Sequence, residues 1–351
     1  MDFEPPFHEN YKTILQNRPD KLDDENGGRQ PPPQLMLIEH CELPLIDLSH
    51  LQTRGSSVVR AKCKENIVEA AQKWGFFQIL NHGVPPEILE SMKHEQTKLF
   101  RLPFQKKAEL SFLNLLPSPS LSSSLPTKTY RWGNPQATCL KQLPWSEAFQ
   151  IPLASISRMK ESDNFRVAVE TYGMTVANLA ALITEILAEG LGVKGANYFK
   201  ENCTLSTCFL RMNRYPPCPL ASQVFGLMPH TDSDFLTVLC QDKIGGLQLM
   251  EGERWVSVKP NPNALLVNVG DLFEAWSNGV YKSVKHRVMA SQEVERFSMA
   301  FFYCPFKHTL IESPLKPALY RSFSFEEYKA QVHRDVQATG DKVGLSRFLI
   351  Q

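Results

Sequence analysis

Apolar residues recur at steps of three and four in two early stretches. Over 57–74 they are Val59, Cys63, Ile67, Ala70 and Trp74; over 86–101 they include Ile88, Met92 and Leu99. That spacing predicts two amphipathic helices. Gly75 closes the first and Pro103 lies just past the second. Between them FFQIL at 76–80 reads as a buried strand, and NHGVPP follows as a turn. Upstream, LPLIDL at 43–48 is a short strand candidate, and order is expected to begin near Leu43. The longest periodic stretch, roughly 163–189, carries Val169, Tyr172, Val176, Leu179, Ile183 and Ile186, with Gly190 and Gly192 to stop it. It predicts a scaffold helix packed on a sheet.

From residue 205 the texture changes. LSTCFLRMNRY, FLTVLCQ, LQLM, WVSV, ALLVNV, SVKHRV and RFSMAFFY are short strand candidates separated by Gly, Pro and Asn turns. LQLM-EGER-WVSV reads as a hairpin, and the close spacing of so many strands predicts a sandwich or barrel. Ser324 and Glu327 form a capping signal that opens a C-terminal helix. The fold class is therefore mixed α and β with a mainly antiparallel β core. The expected organisation is a variable, partly flexible arm (1–40), an N-terminal region (41–160), a helical spine (161–204), the β core (205–307) and a helical tail (308–351). Residues 17–35 are polar with three consecutive prolines, which predicts an extended arm. LPSPSLSSSLPT at 116–127 is low-complexity loop, either a lid over a site or an inert insertion.

Composition narrows the classes. In 351 residues, 42% hydrophobic and 21% charged content fits a globular chain long enough for a sizeable core, and a net charge of +1 offers no broad attraction to nucleic acid or acidic membranes. MDFEPPFHENYKTILQ has no basic start or apolar stretch, so it does not read as a secretory signal. No stretch reads as approaching the ~20 apolar residues that span a bilayer. The eight cysteines are scattered, with no Cys-x-x-Cys, which argues against a zinc ribbon or disulfide scaffold. A cytoplasmic protein acting on a small molecule, with neither nucleic acid nor membrane as partner, is the expectation.

The candidate chemistry lies in MPHTDSDF. On a strand, His230 and Asp232 would face the same way and converge on one point. His286, in SVKHRV, follows 54 residues after Asp232 and supplies a second imidazole. Two histidines and one carboxylate on one face of a metal are the ligand set of non-haem iron(II) oxygenases, with open positions left for cosubstrate and O2. In RFSMAFFY, Arg296 and Ser298 share a strand face. A guanidinium with a hydroxyl suits the far carboxylate of a dicarboxylate. Asn213 and Tyr215, in NRYPP, offer an amide and a phenol to the same ligand. Histidines 8, 40, 50, 82, 94, 308 and 333 read as structural or surface residues.

From LPLIDL through WGFFQILNHGVP, NRYPP, HTD, the later histidine and Arg-x-Ser to about residue 307, the chain resembles the plant 2-oxoglutarate- and iron(II)-dependent dioxygenases. The resemblance implies a double-stranded β-helix (a distorted jelly-roll) flanked by helices. It implies that His230, Asp232 and His286 hold iron, that Arg296 and Ser298 bind the 2-oxoglutarate side-chain carboxylate, and that Tyr215 and Asn213 support it. Fe(II), 2-oxoglutarate and O2 would be required, with ascorbate stimulating. TYRWGNP (129–135) and PWSEAF (144–149) resemble the gibberellin 2-oxidases, especially the subgroup acting on twenty-carbon gibberellins. That implies hydroxylation at C2, which inactivates the hormone. A rigid apolar ring system with a carboxylate wants aromatic walls and a cation. Tyr130, Trp132 and Trp145 are the candidate walls, Arg131 or Lys128 the cation, and Tyr303 a further candidate. Open alternatives are a dioxygenase of the same family acting on a flavonoid or other plant metabolite, an ascorbate-dependent oxidase without 2-oxoglutarate, and a non-catalytic hormone-binding protein.

Overall fold

The chain winds back and forth between two sheets in a computed structural model that describes residues 2–16, 40–52, 56–110, 129–134, 137–158, 163–193, 197–221 and 223–350. The strands of these two sheets are β1 His40–Cys41, β2 Leu45–Asp47, β3 Phe76–Leu80, β4 Tyr130–Trp132, β5 Glu147–Pro152, β6 Phe209–Tyr215, β7 Phe225–His230, β8 Leu236–Gln241, β9 Leu247–Glu251, β10 Arg254–Val258, β11 Leu265–Val269, β12 His286–Met289 and β13 Arg296–Tyr303. The larger sheet has the order β2-β3-β11-β8-β13-β6-β5-β4 and the smaller β1-β10-β9-β12-β7. Among the strands described, β1–β10 and β2–β3 pair parallel and the other pairs are antiparallel. From β7 to β13, with the β9–β10 hairpin counted as one segment, the chain alternates between the sheets, which is the winding of a double-stranded β-helix. The β9–β10 hairpin forms as expected, with Glu251 opposite Arg254.

Strand alternation separates two cores. On β11, Leu265, Val267 and Val269 face the helices, while Leu266 and Asn268 face the opposite sheet. The helices, in chain order, are α1 Phe7–Asn10, α2 Lys12–Gln16, α3 Ser49–Gln52, α4 Ser57–Lys73, α5 Pro86–Phe100, α6 Phe104–Glu109, α7 Asp163–Gly190, α8 Tyr198–Asn202, α9 Asp271–Trp276 and α10 Phe325–Thr339. Of these, α4, α5 and α7 contribute to the core on the outer face of the larger sheet. Val169, Tyr172, Val176 and Ile183 of α7 are fully buried there, and burying each side chain of this size contributes about 1.5–3 kcal/mol. Between α4 and β3, Gly75 takes φ +63°, and a Cβ there would stand 2.2 Å from the Lys282 carbonyl oxygen. Only glycine fits this turn.

Two expectations are corrected. The α7 stretch is long and apolar enough to cross a bilayer, alone among the described helices. Half of it is buried inside the protein, and Arg166, Glu170 and Glu185 stand along it, so its apolarity serves the core. Order also does not begin near Leu43. Residues 2–16 carry α1 and α2, and Phe7 and Tyr11, one helical turn apart, are buried in a cluster with Trp145, Leu143 and Val224. Glu4 pairs with Arg214 at 2.6 Å. Polar flanks hid this short apolar face. The 17–35 arm and the 116–127 loop lie outside the described residues. The strand expected at SVKHRV starts only at His286, and LSTC forms a 3-10 turn ahead of β6. The Ser324 cap is in place, its Oγ accepting from the Glu327 amide at 3.1 Å.

Candidate active site

The inner faces of the two sheets enclose a cavity of about 480 Å3. His230 is the last residue of β7 and His286 the first of β12, and the two are paired across the smaller sheet. Asp232 lies past the end of β7, in the loop before β8. Its convergence with His230 therefore does not come from strand alternation. It comes from the turn, held by the Asp271 amide donating to the Asp232 carbonyl at 2.9 Å. One oxygen of Asp232 stands 3.5 Å from His230 Nε2 and 3.8 Å from His286 Nε2, and all three donor atoms lie within 4.8 Å of one another. Donors set ~2.1 Å from a first-row metal at right angles lie ~3 Å apart, so a small inward movement completes a facial set.

Neighbouring groups fix how each donor presents itself. His230 Nδ1 lies 2.7 Å from the Met228 carbonyl and His286 Nδ1 lies 3.0 Å from that of Val284. A carbonyl only accepts, so Nδ1 carries the proton and Nε2 keeps its lone pair for a metal. Asp232 Oδ2 accepts from Thr237 Oγ1 at 2.6 Å and from Asn268 Nδ2 at 2.5 Å, which leaves Oδ1 toward the histidines. Burial alone would raise this carboxyl. The neighbouring imidazoles, His286 first and then His230, outweigh burial and hold it well below the usual carboxylate range. Burial, then His230, pushes the His286 imidazole down to about 4. Both imidazoles together with an ionised carboxylate favour a cation at this point. Burial, then the Asp232 charge, pushes the carboxyl of Asp234, next to the site, well above the usual carboxylate range.

A second feature of the cavity is a cation without an anion. Arg296, 2% exposed, donates from Nη2 to Gln241 Oε1 at 2.9 Å and lies 4.9 Å from the centre of the Tyr215 ring. Its Nε and Nη1 have no partner among the described residues. A buried guanidinium with idle donors suits a carboxylate. Ser298, two residues along β13, accepts at Oγ from Asn213 Nδ2 at 3.3 Å and retains its own proton to donate. Arg296, Ser298, Tyr215 and Asn213 all line the cavity and pair across β13 and β6. Sequence reasoning missed Gln96. From α5 it donates to the Asn213 and Ser298 carbonyls at 3.1 and 2.9 Å, tying the two strands together behind them.

The five residues expected to touch substrate do not line this cavity. Tyr130 is buried, its hydroxyl donating to Glu147. Trp145 is stacked on Phe7 with centroids 4.5 Å apart, and its Nε1 donates to the Pro217 carbonyl. Trp132 packs edge-on against Phe7 and Phe104. Arg131 is exposed. Tyr303 faces the helices and donates to the Phe199 carbonyl at 3.4 Å. These residues lie in the N-terminal cluster or the helix-side core, a position that their order along the chain does not reveal. Lys128 lies outside the described residues. The cavity wall away from Arg296 is built instead by Gln150, Thr207, Phe209, Arg211, Phe302 and Lys329. Arg211 was legible: it stands two residues before Asn213 and four before Tyr215 on one strand, so it shares their face. Lys329, on α10, carried no such signal.

Residues 206–305 match the model of the 2OG-Fe(II) oxygenase superfamily, and 43–168 match that of the N-terminal region described as non-haem dioxygenase in morphine synthesis. The chain is 48% identical to gibberellin 2-beta-dioxygenase 8 of Arabidopsis thaliana, over 99% of this chain and 98% of that one. It is 44% identical to gibberellin 2-beta-dioxygenase 6 of Oryza sativa subsp. japonica, over 98% and 96%. Among solved structures, the rice dioxygenase for auxin oxidation superposes with a TM-score of 0.70 at 29% identity, over 88% of this chain and 100% of that one. JOX2 solved with 2OG, Fe and JA gives 0.67 at 28% identity, over 87% and 90%.

Proposed function

This chain belongs to the 2OG-Fe(II) oxygenase superfamily, and on that premise we propose that it hydroxylates a gibberellin at C2. 2-Oxoglutarate and O2 are consumed and succinate and CO2 released. The observation that carries the reading is the juxtaposition, in one cavity, of three convergent donors and a buried guanidinium with idle hydrogen-bond donors. The substrate class rests on the gibberellin 2-beta-dioxygenases that the chain resembles over nearly its whole length.

In this reading His230, Asp232 and His286 hold the iron. Bound there, Fe(II) supplies the redox chemistry that couples oxidative decarboxylation of 2-oxoglutarate to hydroxylation of a C–H bond. The protein's part is binding and orientation. Arg296 and Ser298 take the far carboxylate of 2-oxoglutarate, with the Tyr215 ring packed on the guanidinium and Asn213 fixing the serine. That anchorage turns the keto acid end toward the metal position. Thr237 and Asn268 keep one Asp232 oxygen occupied, so the carboxylate offers the other. Phe76, Leu227, Leu239, Leu247 and Val288 line the cavity with apolar groups and keep water from the reacting atoms.

The test is anaerobic reconstitution with Fe(II) and 2-oxoglutarate, then O2 with a panel of nineteen- and twenty-carbon gibberellins, following succinate and hydroxylated product by mass spectrometry. Product matched one-to-one by succinate supports the reading. Succinate without hydroxylated gibberellin would retain the dioxygenase and redirect the substrate search to flavonoids and other plant metabolites. No succinate under any condition would overturn both.

A further inference from the structure

Two cations line the cavity wall away from Arg296, and neither has a carboxylate within salt-bridge distance among the described residues. Arg211 donates from Nε to Asn213 Oδ1 at 2.9 Å, and its terminal nitrogens are left to the cavity it lines. Lys329 lines the same wall, its ammonium 4.2 Å from the centre of the Phe325 ring. Around them the lining is apolar or neutral: Phe209, Phe302, Phe325, Thr207 and Gln150. Setting a guanidinium there costs desolvation that only an opposite charge offsets well, and burial pulls the Arg211 pKa down.

The register gives the spacing. On the paired strands, Arg296 stands opposite Tyr215 and Ala300 opposite Arg211. Four residues at ~3.3 Å each put about 13 Å of strand between the two positions. A single small dicarboxylate does not need both. With 2-oxoglutarate at the Arg296 end, the second cationic position is free for the other reactant.

We infer that Arg211 and Lys329 form the site for the substrate's carboxylate, holding a rigid apolar acid by its charged end with its rings along Phe209, Phe302 and Phe325. The inference rests on the gibberellin reading above and adds to it the residues that recognise the acid. A rigid body held at one end presents a fixed set of C–H bonds to the metal, so this anchor also selects the carbon that reacts.

The experiment compares one gibberellin as free acid and as methyl ester. Dissociation constants are measured anaerobically with Mn(II) in place of iron and saturating 2-oxoglutarate, for wild type, Arg211→Gln and Lys329→Gln. Wild type should bind the acid at least tenfold more tightly than the ester. Arg211→Gln should lose most of that preference through weaker acid binding, with ester affinity held. Lys329→Gln should lose a few-fold, because that side chain is exposed along α10. The ester isolates charge recognition from general damage to the fold. An undiminished acid preference in Arg211→Gln would overturn the inference and leave the gibberellin reading intact, as would equal binding of acid and ester by wild type. Failure of wild type to bind either form would overturn the gibberellin reading and this inference with it.

Discussion

Replacing Arg296 by methionine separates what the guanidinium does for the fold from what it does for the ligand. Without ligand, the change removes the charge-assisted bond to Gln241, worth about 1.5–3 kcal/mol, and the contact with the Tyr215 ring, worth about 0.5–2 kcal/mol. It also removes the desolvation cost of a buried, unpaired cation, about several kcal/mol. These terms nearly cancel, and methionine fills much of the space, so the ligand-free variant should unfold close to wild type or slightly above it. Toward 2-oxoglutarate the balance is one-sided. Two charge-assisted bonds from the idle Nε and Nη1 are together worth about 3–6 kcal/mol, or roughly 10²–10⁴ in Kd. Calorimetry with Mn(II) in place of iron reads the Kd directly. Thermal unfolding with cosubstrate at 100 times the wild-type Kd should show about 2.7 kcal/mol of stabilisation for wild type and almost none for the variant. A folded variant whose 2-oxoglutarate Kd stays within threefold of wild type would refute the assignment. So would a ligand-free variant destabilised by about 3 kcal/mol or more, which would mark Arg296 as a structural cation.

The other predictions concern the metal donors, pH and the corrected residues. His230→Ala, Asp232→Ala and His286→Ala should each abolish turnover, and Thr237→Val should weaken Mn(II) binding about 10–100-fold by removing one of the two bonds that hold Asp232 Oδ2; unchanged metal affinity would remove Thr237 from that role. In the metal-free protein His286 is held at about 4 against ~6.5 unfolded, so the unfolded chain takes up a proton that the native state refuses. Stability should therefore fall by about 3 kcal/mol as pH drops from ~6.5 to ~4, and be unaffected by this group above 7. Urea unfolding of His286→Asn should lack that part of the fall; a profile identical to wild type contradicts the reasoning. Glu147→Gln leaves the buried Lys107 and Arg214 without their shared carboxylate and should cost about 3–5 kcal/mol in urea unfolding, whereas a loss below about 1 kcal/mol would show the network to be dispensable. Trp145→Ala should cost about 3–5 kcal/mol of stability with little change in substrate KM; a large KM rise in a stable variant would restore it as a cavity wall.

The elements that could be read in advance are those whose pattern is local. Helices α4, α5 and α7 and strands β3, β8, β9, β10, β11 and β13 lie where periodicity puts them, because one-sided burial writes itself into spacings of 3.6 and 2 residues. The same alternation placed Arg296 with Ser298 and, carried two residues further back from Asn213, would have included Arg211. What spacing could not show was which layer each face meets. Tyr130 and Trp145 carry the chemistry of a ligand wall, yet they are covered by Glu147 and by Phe7 of a segment more than 100 residues upstream of either. Glu147 is buried only because Lys107, Tyr130 and Arg214, scattered along the chain, are brought around it.

By itself the amino-acid sequence determined the element types, the β-rich second half and the identity of the donor set, since these depend on residue types and short spacings. The tertiary structure alone decided how Asp232 reaches the histidines, through a turn beyond β7 and not along a strand. It also decided that Gln96 from α5 braces the cosubstrate strands, and that Arg211 and Lys329, far apart in the chain, share one wall. The physical reason is that convergence, burial and the pairing of charges are properties of groups brought together by long-range packing, and no local periodicity encodes which distant side chain will stand opposite.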